Sequence, residues 1–311
     1  MRVALVTGGA GFVGRCLVSL LRERGVRAVD FGPDAAGFED GPPDHGDTIV
    51  GSVSDRAAVE NAVTAVKPDI VFHLAAFGVG GDGLIRSAVK APLDSVRVNV
   101  LGSSVVCHVA VEQKVSRFVW SSSTSVFPSV PLSEQRPADE DVEPRPDTVY
   151  GATKRSAELL IGQLSRGTGT RCTGLRLPSV YGAGRYPGAL ASFTRFVADV
   201  AHFRDTAIDA TTYPVDWLHV HDAAAALMLA GEKALPRPIY NVVGHRSSLA
   251  EMAAAVSSHA TARAEVSIAV SPDLVPDLMD GGRFTAEAQF TPRFGLTSGA
   301  EEYVSAERRS H

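Results

Sequence analysis

Apolar residues in this chain come in short, nearly continuous runs rather than in strict alternation, at positions 3–6, 26–29, 70–76 and 117–120. Between and after them lie stretches whose apolar positions recur every three or four residues, at 12–23, 56–66, 92–113 and from about 149 onward. Nearly continuous runs mark strands covered on both faces, and the longer spacing marks helices with one apolar side. Strand and helix in alternation predict an α/β protein built on a doubly wound parallel sheet. Residues 31–47, rich in Gly, Pro and Asp, read as a surface loop, and Thr48-Ile49-Val50 as a short strand.

The first run ends in Thr7-Gly8-Gly9-Ala10-Gly11-Phe12-Val13-Gly14, and the first helix follows at once. Gly8 suits a tight turn, Gly11 lets backbone approach a pyrophosphate, and Gly14 allows helix and strand to pack closely. A phosphate there would meet the free N–H groups of the helix N-terminus. A glycine turn without a ligand is the plainer alternative. Asp30 weighs against it, because it closes the second run where a carboxylate grips an adenosine ribose. That charge favours NAD over NADP, whose 2′-phosphate it would repel, and Asp34 is the alternative ribose ligand.

Composition narrows the rest. With 311 residues, 45% hydrophobic and 21% charged, the chain is long enough for one elaborate domain or two intimate ones. A formal charge of −5 gives no footing for nucleic acid or an anionic membrane. Three scattered cysteines, and no apolar stretch long enough to span a bilayer, lead to the expectation of a reduced, cytoplasmic protein. His219 and His221 lack a third ligand nearby, so no metal is expected. His73, inside an apolar run, reads as a packing residue.

Candidate chemistry gathers at two places. Ser123 ends the fourth run, within Ser121-Ser122-Ser123-Thr124-Ser125, and Tyr150-Gly151-Ala152-Thr153-Lys154 opens a helix. A Tyr and a Lys four apart share a helical face. A phenol, with a reference pKa of about 10, is brought toward working pH by a nearby ammonium, and so becomes a proton donor and acceptor. A surface Tyr/Lys pair is the bland alternative, which the glycine turn, Asp30 and the serine strand disfavour together.

On these motifs the chain resembles, along essentially its whole length, the extended short-chain dehydrogenases/reductases, the NAD-dependent epimerase/dehydratase family. The resemblance implies a Rossmann-type sheet with a smaller C-terminal substrate-binding lobe. It makes Ser123, Tyr150 and Lys154 the catalytic triad, and gives Asn99 a supporting role at the active-site backbone. NAD would be held by Gly8, Gly11, Phe12 and Val13 at the turn, and by Asp30, Ser52 and Val53 at the adenosine. Leu74, Ala75 and Ala76 would lie along its middle, with Tyr150, Lys154, Pro178 and Val180 at the nicotinamide end. Ser52 stands where the family usually has an aspartate on the adenine. Substrate would meet Phe77, Thr124, Ser125, Ser179 and Arg185, with Phe127, Tyr181, Tyr186 and Trp217 as further aromatic lining or as core.

Departures from the family narrow the reaction. Thr124, Ser125 and Val126 occupy the places where sugar-nucleotide dehydratases carry their added acid and base, so water elimination is not expected. Ser179 replaces a usual asparagine, and residues 207–216 lack the arginine that meets a nucleoside diphosphate; Arg185 and Arg204 are the available substitutes. The leading expectation is hydride transfer between nicotinamide and a secondary alcohol or ketone of a small non-nucleotide substrate. A sugar-nucleotide epimerase is the alternative, and a non-catalytic cofactor sensor or scaffold is an alternative of another class. Residues 1–178 with about 214–258 are expected to form the dinucleotide domain. The lobe would take about 179–213 with 259–311, and Asp222 would cap the alanine-rich helix. A homodimer through helices 98–111 and 149–164 completes the expectation.

Overall fold

The computed structural model describes residues 1–33, 47–78, 80–185, 188 and 190–309. Five strands come first: β1 (Val3–Thr7), β2 (Arg27–Gly32), β3 (Thr48–Val50), β4 (Ile70–His73) and β5 (Arg117–Ser123). With strands Arg171–Leu177 and Ile239–Asn241 they form one seven-stranded parallel sheet. Its order is Ile239–Asn241, Arg171–Leu177, β5, β4, β1, β2, β3. The chain builds outward from β1 to β3, then crosses back and builds the other way from β4. Between β1 and β4 the strand order therefore reverses, and open α/β sheets bind ligands in the crevice at that point.

Coverage of both faces explains the nearly continuous apolar runs: Ala4, Leu5 and Val6 are all fully buried. Helices Phe12–Glu23 and Val220–Glu232 close one face around Leu17, Leu21 and Leu227. Helices Arg56–Val66, Ser103–Glu112 and Val149–Leu164 close the other around Val59, Val106 and Ala157. Asp55 caps the Arg56–Val66 helix, accepting the Ala58 N–H at 3.2 Å.

Three expectations need correction. The stretch 92–113 is not one uniform α-helix: Pro92–Val96 runs into a wide π-helical segment, Arg97–Gly102, before Ser103–Glu112 resumes. Such segments cluster at functional sites, and this one carries the fully buried Asn99.

The lobe differs more. Trp217 does not return to the main sheet. Strand Pro214–His219 pairs in parallel with Ser179–Tyr181 and antiparallel with His245–Ser248, forming a separate three-stranded sheet. The cause is packing: Trp217 belongs to an aromatic core with Tyr181, Phe193 and Tyr303, and its indole N–H donates to the Ser247 carbonyl at 2.9 Å. Helix Leu249–Ser257 joins that core through Met252, Ala253 and Val256. Of the stretch 214–258, helix Val220–Glu232 and strand Ile239–Asn241 lie with the nucleotide half.

Asp222 is not a helix cap either. His219 occupies the cap position, and the Asp222 carboxylate accepts the backbone N–H groups of Arg293 and Phe294 at 3.0 and 3.1 Å. Among the described residues no helix is long and apolar enough to cross a membrane, and no cluster of three His, Cys, Asp or Glu side chains could hold a metal ion.

Candidate active site at the strand ends

Most of the described sequence-predicted site residues sit at or just beyond the C-terminal end of a parallel strand; Phe12 and Val13 open the first helix, and helical segments carry in Asn99, Tyr150 and Lys154. The glycine turn leaves β1. A Cβ on Gly8, whose φ is +73°, would press within 2.9 Å of the Ala75 nitrogen, so this glycine lets the ends of β1 and β4 touch. A Cβ on Gly14 would stand 2.0 Å from the Gly8 carbonyl oxygen, so that glycine serves helix packing. At Gly11 the one neighbour is the Gly8 oxygen, at 3.1 Å, which leaves backbone open to an approaching group. Asp30 is buried beside the turn and accepts the Gly9 N–H at 2.6 Å. Burial pushes its carboxyl up, and the backbone N–H bonds from Gly9, Ala10 and Phe31 draw it back toward the charged form. The turn and its neighbouring carboxylate fit a dinucleotide. Ser52 is exposed, and its hydroxyl is engaged in its own turn, 2.9 Å from Ser54 Oγ. Val53 is buried against Gly102. Asp34 and Tyr186 lie outside the described residues, as does most of the loop 31–47.

A chain of buried hydrogen bonds ties β1 to the catalytic helix. Thr7 Oγ1 lies 2.7 Å from His73 Nδ1, and His73 Nε2 lies 2.9 Å from Ser103 Oγ. Ser103 spends its own proton on the Asn99 carbonyl at 2.6 Å. That assigns the imidazole: Nε2–H donates to Ser103, and Nδ1 accepts from Thr7. Burial and the Lys154 charge hold His73 far below its usual pKa, at about 3, so the ring is a neutral structural strut. Asn99 Oδ1 accepts the Phe77 N–H at 2.8 Å, and Nδ2 donates to Ser95 Oγ and Thr153 Oγ1 at 3.1 and 3.0 Å. Thr153 Oγ1 donates in turn to the Tyr150 carbonyl at 2.7 Å. Asn99 thus fixes the loop after β4 and the first turn of the catalytic helix at once.

The serine run ending β5 meets helix Val149–Leu164 residue by residue. Ser123 stands beside the Tyr150 hydroxyl and favours its charged form, while its Oγ accepts the Ser125 N–H at 3.1 Å and donates to Ser125 Oγ at 3.2 Å. The Ser121 carbonyl accepts from Lys154 Nζ at 2.9 Å. Ser122 Oγ donates to Glu158 Oε1 at 2.7 Å. The helix starts where Thr148 caps it, accepting the Gly151 N–H at 3.0 Å. It can lie this close because a Cβ on Gly151 would stand 1.9 Å from the Ser125 carbonyl oxygen.

The electrostatics differ from expectation in one respect. Tyr150 is not drawn down; burial pushes its phenol above the usual range, and Ser123 only partly opposes this. Lys154 is turned toward Ser121, with Nζ 5.8 Å from the Tyr150 ring centre. Burial pushes Lys154 itself down to about 8, with the Glu158 carboxylate working the other way.

The expected substrate residues divide. Phe77, Thr124, Ser125 and Ser179 are half-buried around Ser123 and the strand ends, and Pro178 and Val180 are buried behind them. Leu74, Ala75 and Ala76 are half-buried on the crevice floor after β4. Arg185 points elsewhere: its guanidinium lies over the Phe12 ring at 5.6 Å and donates to the Val180 carbonyl. Phe127, Tyr181 and Trp217 are buried core rather than lining. Ser122, Glu158 and Arg176 escaped the sequence reading. Their signals are a carboxylate one turn beyond Lys154 and a charge inside the apolar Leu175-Arg176-Leu177.

A doubly wound sheet with a glycine turn at its switch point is a dinucleotide-binding fold. Residues 4–243 match the NAD dependent epimerase/dehydratase family, and the chain belongs to that family, whose enzymes are NAD-dependent epimerases, dehydratases and dehydrogenases. It is 28% identical over 295 residues to a dTDP-L-rhamnose 4-epimerase of Burkholderia thailandensis, covering 82% of this chain and 80% of that one. A solved UDP-glucose 4-epimerase of Thermus thermophilus, in complex with NAD, superposes over the full length of both chains with a TM-score of 0.83 and 25% identity. An L-threonine 3-dehydrogenase of Trypanosoma brucei shares the fold, with a TM-score of 0.84 at 20% identity over 100% of this chain and 98% of that one.

Proposed function

We propose that the protein is an NAD-dependent oxidoreductase acting on a secondary alcohol or ketone of a small, non-nucleotide substrate. The observation that carries the reading is the meeting of Ser123, Tyr150 and Lys154 at the strand ends, with Ser123 beside the Tyr150 hydroxyl and Lys154 Nζ held by the Ser121 carbonyl. NAD, when bound, supplies the hydride acceptor or donor. Gly8, Gly11, Phe12 and Val13 hold its pyrophosphate, and Asp30 takes the adenosine ribose, favouring NAD over NADP. Ser123 holds the substrate oxygen. Tyr150 removes the proton from the alcohol, or returns it to the carbonyl oxygen, and Lys154 stabilises the phenolate while that proton is away. The high resting position of Tyr150 suits a group that keeps its proton until a charged partner is brought to bear.

The non-nucleotide part rests on the arginines. Val215 precedes Asp216, where the family's diphosphate-binding arginine is expected. Arg246 is engaged with Asp216 at 2.8 Å and with the Met279 carbonyl at 2.9 Å. Arg204 pairs with Asp199 at 2.7 Å, and Arg185 is turned toward Phe12. A second reading, sugar-nucleotide epimerisation, draws support from the epimerases among the relatives. Nicotinamide absorbance at about 340 nm, followed across ketones, polyols and sugar nucleotides, separates the two. A net change with a non-nucleotide compound is expected; conversion of a sugar nucleotide with no net change would replace this reading by the epimerase.

The lobe that closes over substrate is assigned to 179–185, 190–219, 245–268 and 296–309, following the aromatic core. The protein is further read as a homodimer. Leu101, Leu159 and Leu160 stand exposed on the two helical stretches proposed to pair, beside Val89 and Leu93. A monomer by light scattering at micromolar concentration would overturn that assembly.

A further inference from the structure

The Ser121–Ser123 run grips the catalytic helix at three successive turns, through Tyr150, Lys154 and Glu158. Two of those grips belong to the proposed chemistry. The third holds a carboxylate that touches neither the phenol nor the cofactor turn. Its side chain is only 5% exposed, and a bidentate pair with the equally buried Arg176 joins it at 2.8 and 2.9 Å. Arg155, from the same helix, adds a bond at 3.1 Å. Arg176 is itself positioned by Phe127, whose ring centre lies 5.0 Å away, and by Asn241 Oδ1 at 3.4 Å.

A buried ion pair is weak as a device for stability, because desolvating both charges offsets most of their attraction. Its placement one helical turn beyond Lys154 gives it a different use. We propose that Glu158 is a positioning residue of the hydride-transfer site: it keeps the buried Lys154 side chain an ammonium, while Arg176 sets how strongly its charge is felt. This rests on the proposed roles of Tyr150 and Lys154. A lysine removed from water sheds its proton readily, and a neutral amine would give a developing phenolate no support. An unopposed carboxylate would hold the ammonium to the helix too strongly, and the guanidinium tempers it. The other groups facing Lys154 carry no charge at neutral pH: Tyr150 on its own helix is protonated, His73 on β4 is neutral, and the Ser121 carbonyl on β5 is a dipole. Glu158 is thus the one anion that acts on Lys154 among the described residues. Around Glu158 stand Arg155, Arg176 and Ser122, with Glu143 beyond Arg155 at 3.3 Å.

The test reads Lys154 directly and needs no substrate, so its outcome is independent of whether the oxidoreductase reading survives. The full chain is labelled with acetic anhydride across a pH series, and acetylation of Lys154 is followed by peptide mass spectrometry. In the unaltered protein the midpoint is expected at about 8. Glu158→Gln should lower it by about one pH unit, and Arg176→Met should raise it by about as much, because the carboxylate is then untempered. A purely structural role predicts another pattern: loosening either side admits water and moves both midpoints up, toward that of an ordinary lysine. An unchanged or raised midpoint in Glu158→Gln overturns the proposal. Should that variant fail to fold with Arg176 left unpaired, Glu158→Gln/Arg176→Met is compared with Arg176→Met alone: a midpoint about one pH unit below that of Arg176→Met upholds the proposal, and one equal or higher overturns it.

Discussion

The β5–helix junction and the lobe sheet both close the same crevice, yet they are held in different ways. At the junction His73, Asn99, Lys154, Glu158 and Arg176 are buried polar groups with named partners at 2.6–3.4 Å. In the lobe the buried hydroxyls of Tyr181 and Ser247 find no protein partner. What fixes Tyr181 is edge-on packing of rings, against His219 at 5.1 Å and Trp217 and His245 at 5.8 Å. Hydrogen bonds set direction, whereas packing sets volume. A junction that must aim a proton to a fraction of an ångström is therefore built from the first, and a lobe that has to enclose a ligand is built from the second.

The largest expected effect tests what the junction is for. Tyr150→Phe removes one hydroxyl from a fully assembled setting and leaves the glycine turn untouched. Turnover should fall by about two to four orders of magnitude, the range for one general acid/base, while NAD affinity, read by fluorescence titration, stays near that of the parent protein. Full turnover in Tyr150→Phe would remove the catalytic assignment altogether.

Two glycines sharpen the contrast, because each stands where a methyl group would collide. At Gly151 the obstacle is the Ser125 backbone oxygen at 1.9 Å, and at Gly299 it is Tyr181 Oη at 1.8 Å. Gly151→Ala must lift the catalytic helix from β5, and a displacement of about 1 Å costs on the order of 10²-fold in rate. Gly299→Ala must push helix Leu296–Arg309 off the lobe core at a cost of about 1–3 kcal/mol, read as a lower melting temperature. Turnover per folded molecule should change far less there. Equal losses of turnover in the two variants would mean that the lobe aims chemistry as well as enclosing it.

The same contrast explains what could be read from the sequence. Gly8, Gly11 and Gly14 are legible because a short contiguous stretch makes the whole turn, and Asp30 because it closes the next apolar run along the chain. Tyr150 and Lys154 are legible because one helix carries both at fixed spacing. Glu158 sits on that helix, one turn beyond Lys154, but the partners that bury and hold it, Ser122 and Arg176, are brought to it by long stretches of chain. The place of Trp217 was misread for a related reason. Its strand, Pro214–His219, lies in the stretch 214–258 expected with the dinucleotide half, and the residues of one strand do not say which of two sheets takes it. The π-helical turn at Asn99 left no mark beyond an amide in an apolar helix, which needs a partner without naming one.

The smallest effect concerns the strut that joins the glycine turn to the junction. His73 is neutral in the fold, held at about 3 against an ordinary value of 6.5 by burial first and by the Lys154 charge second. A base whose folded pKa is depressed takes up a proton more readily in the unfolded chain. Its contribution to stability is therefore complete above pH 6.5 and is lost progressively as pH falls from 6.5 toward 3. The loss grows by at most about 1.4 kcal/mol per pH unit in that window. His73→Gln removes the titration but also weakens the bonds to Thr7 and Ser103, so at pH 7.5 it should melt below the unaltered protein. At pH 5 the two melting temperatures should draw together, because only the histidine protein has lost stability through this group. Calorimetry at the two pH values measures the gap. A gap that stayed constant or widened would show that His73 is already protonated in the fold, and the neutral strut between β1 and Asn99 would have to be redrawn.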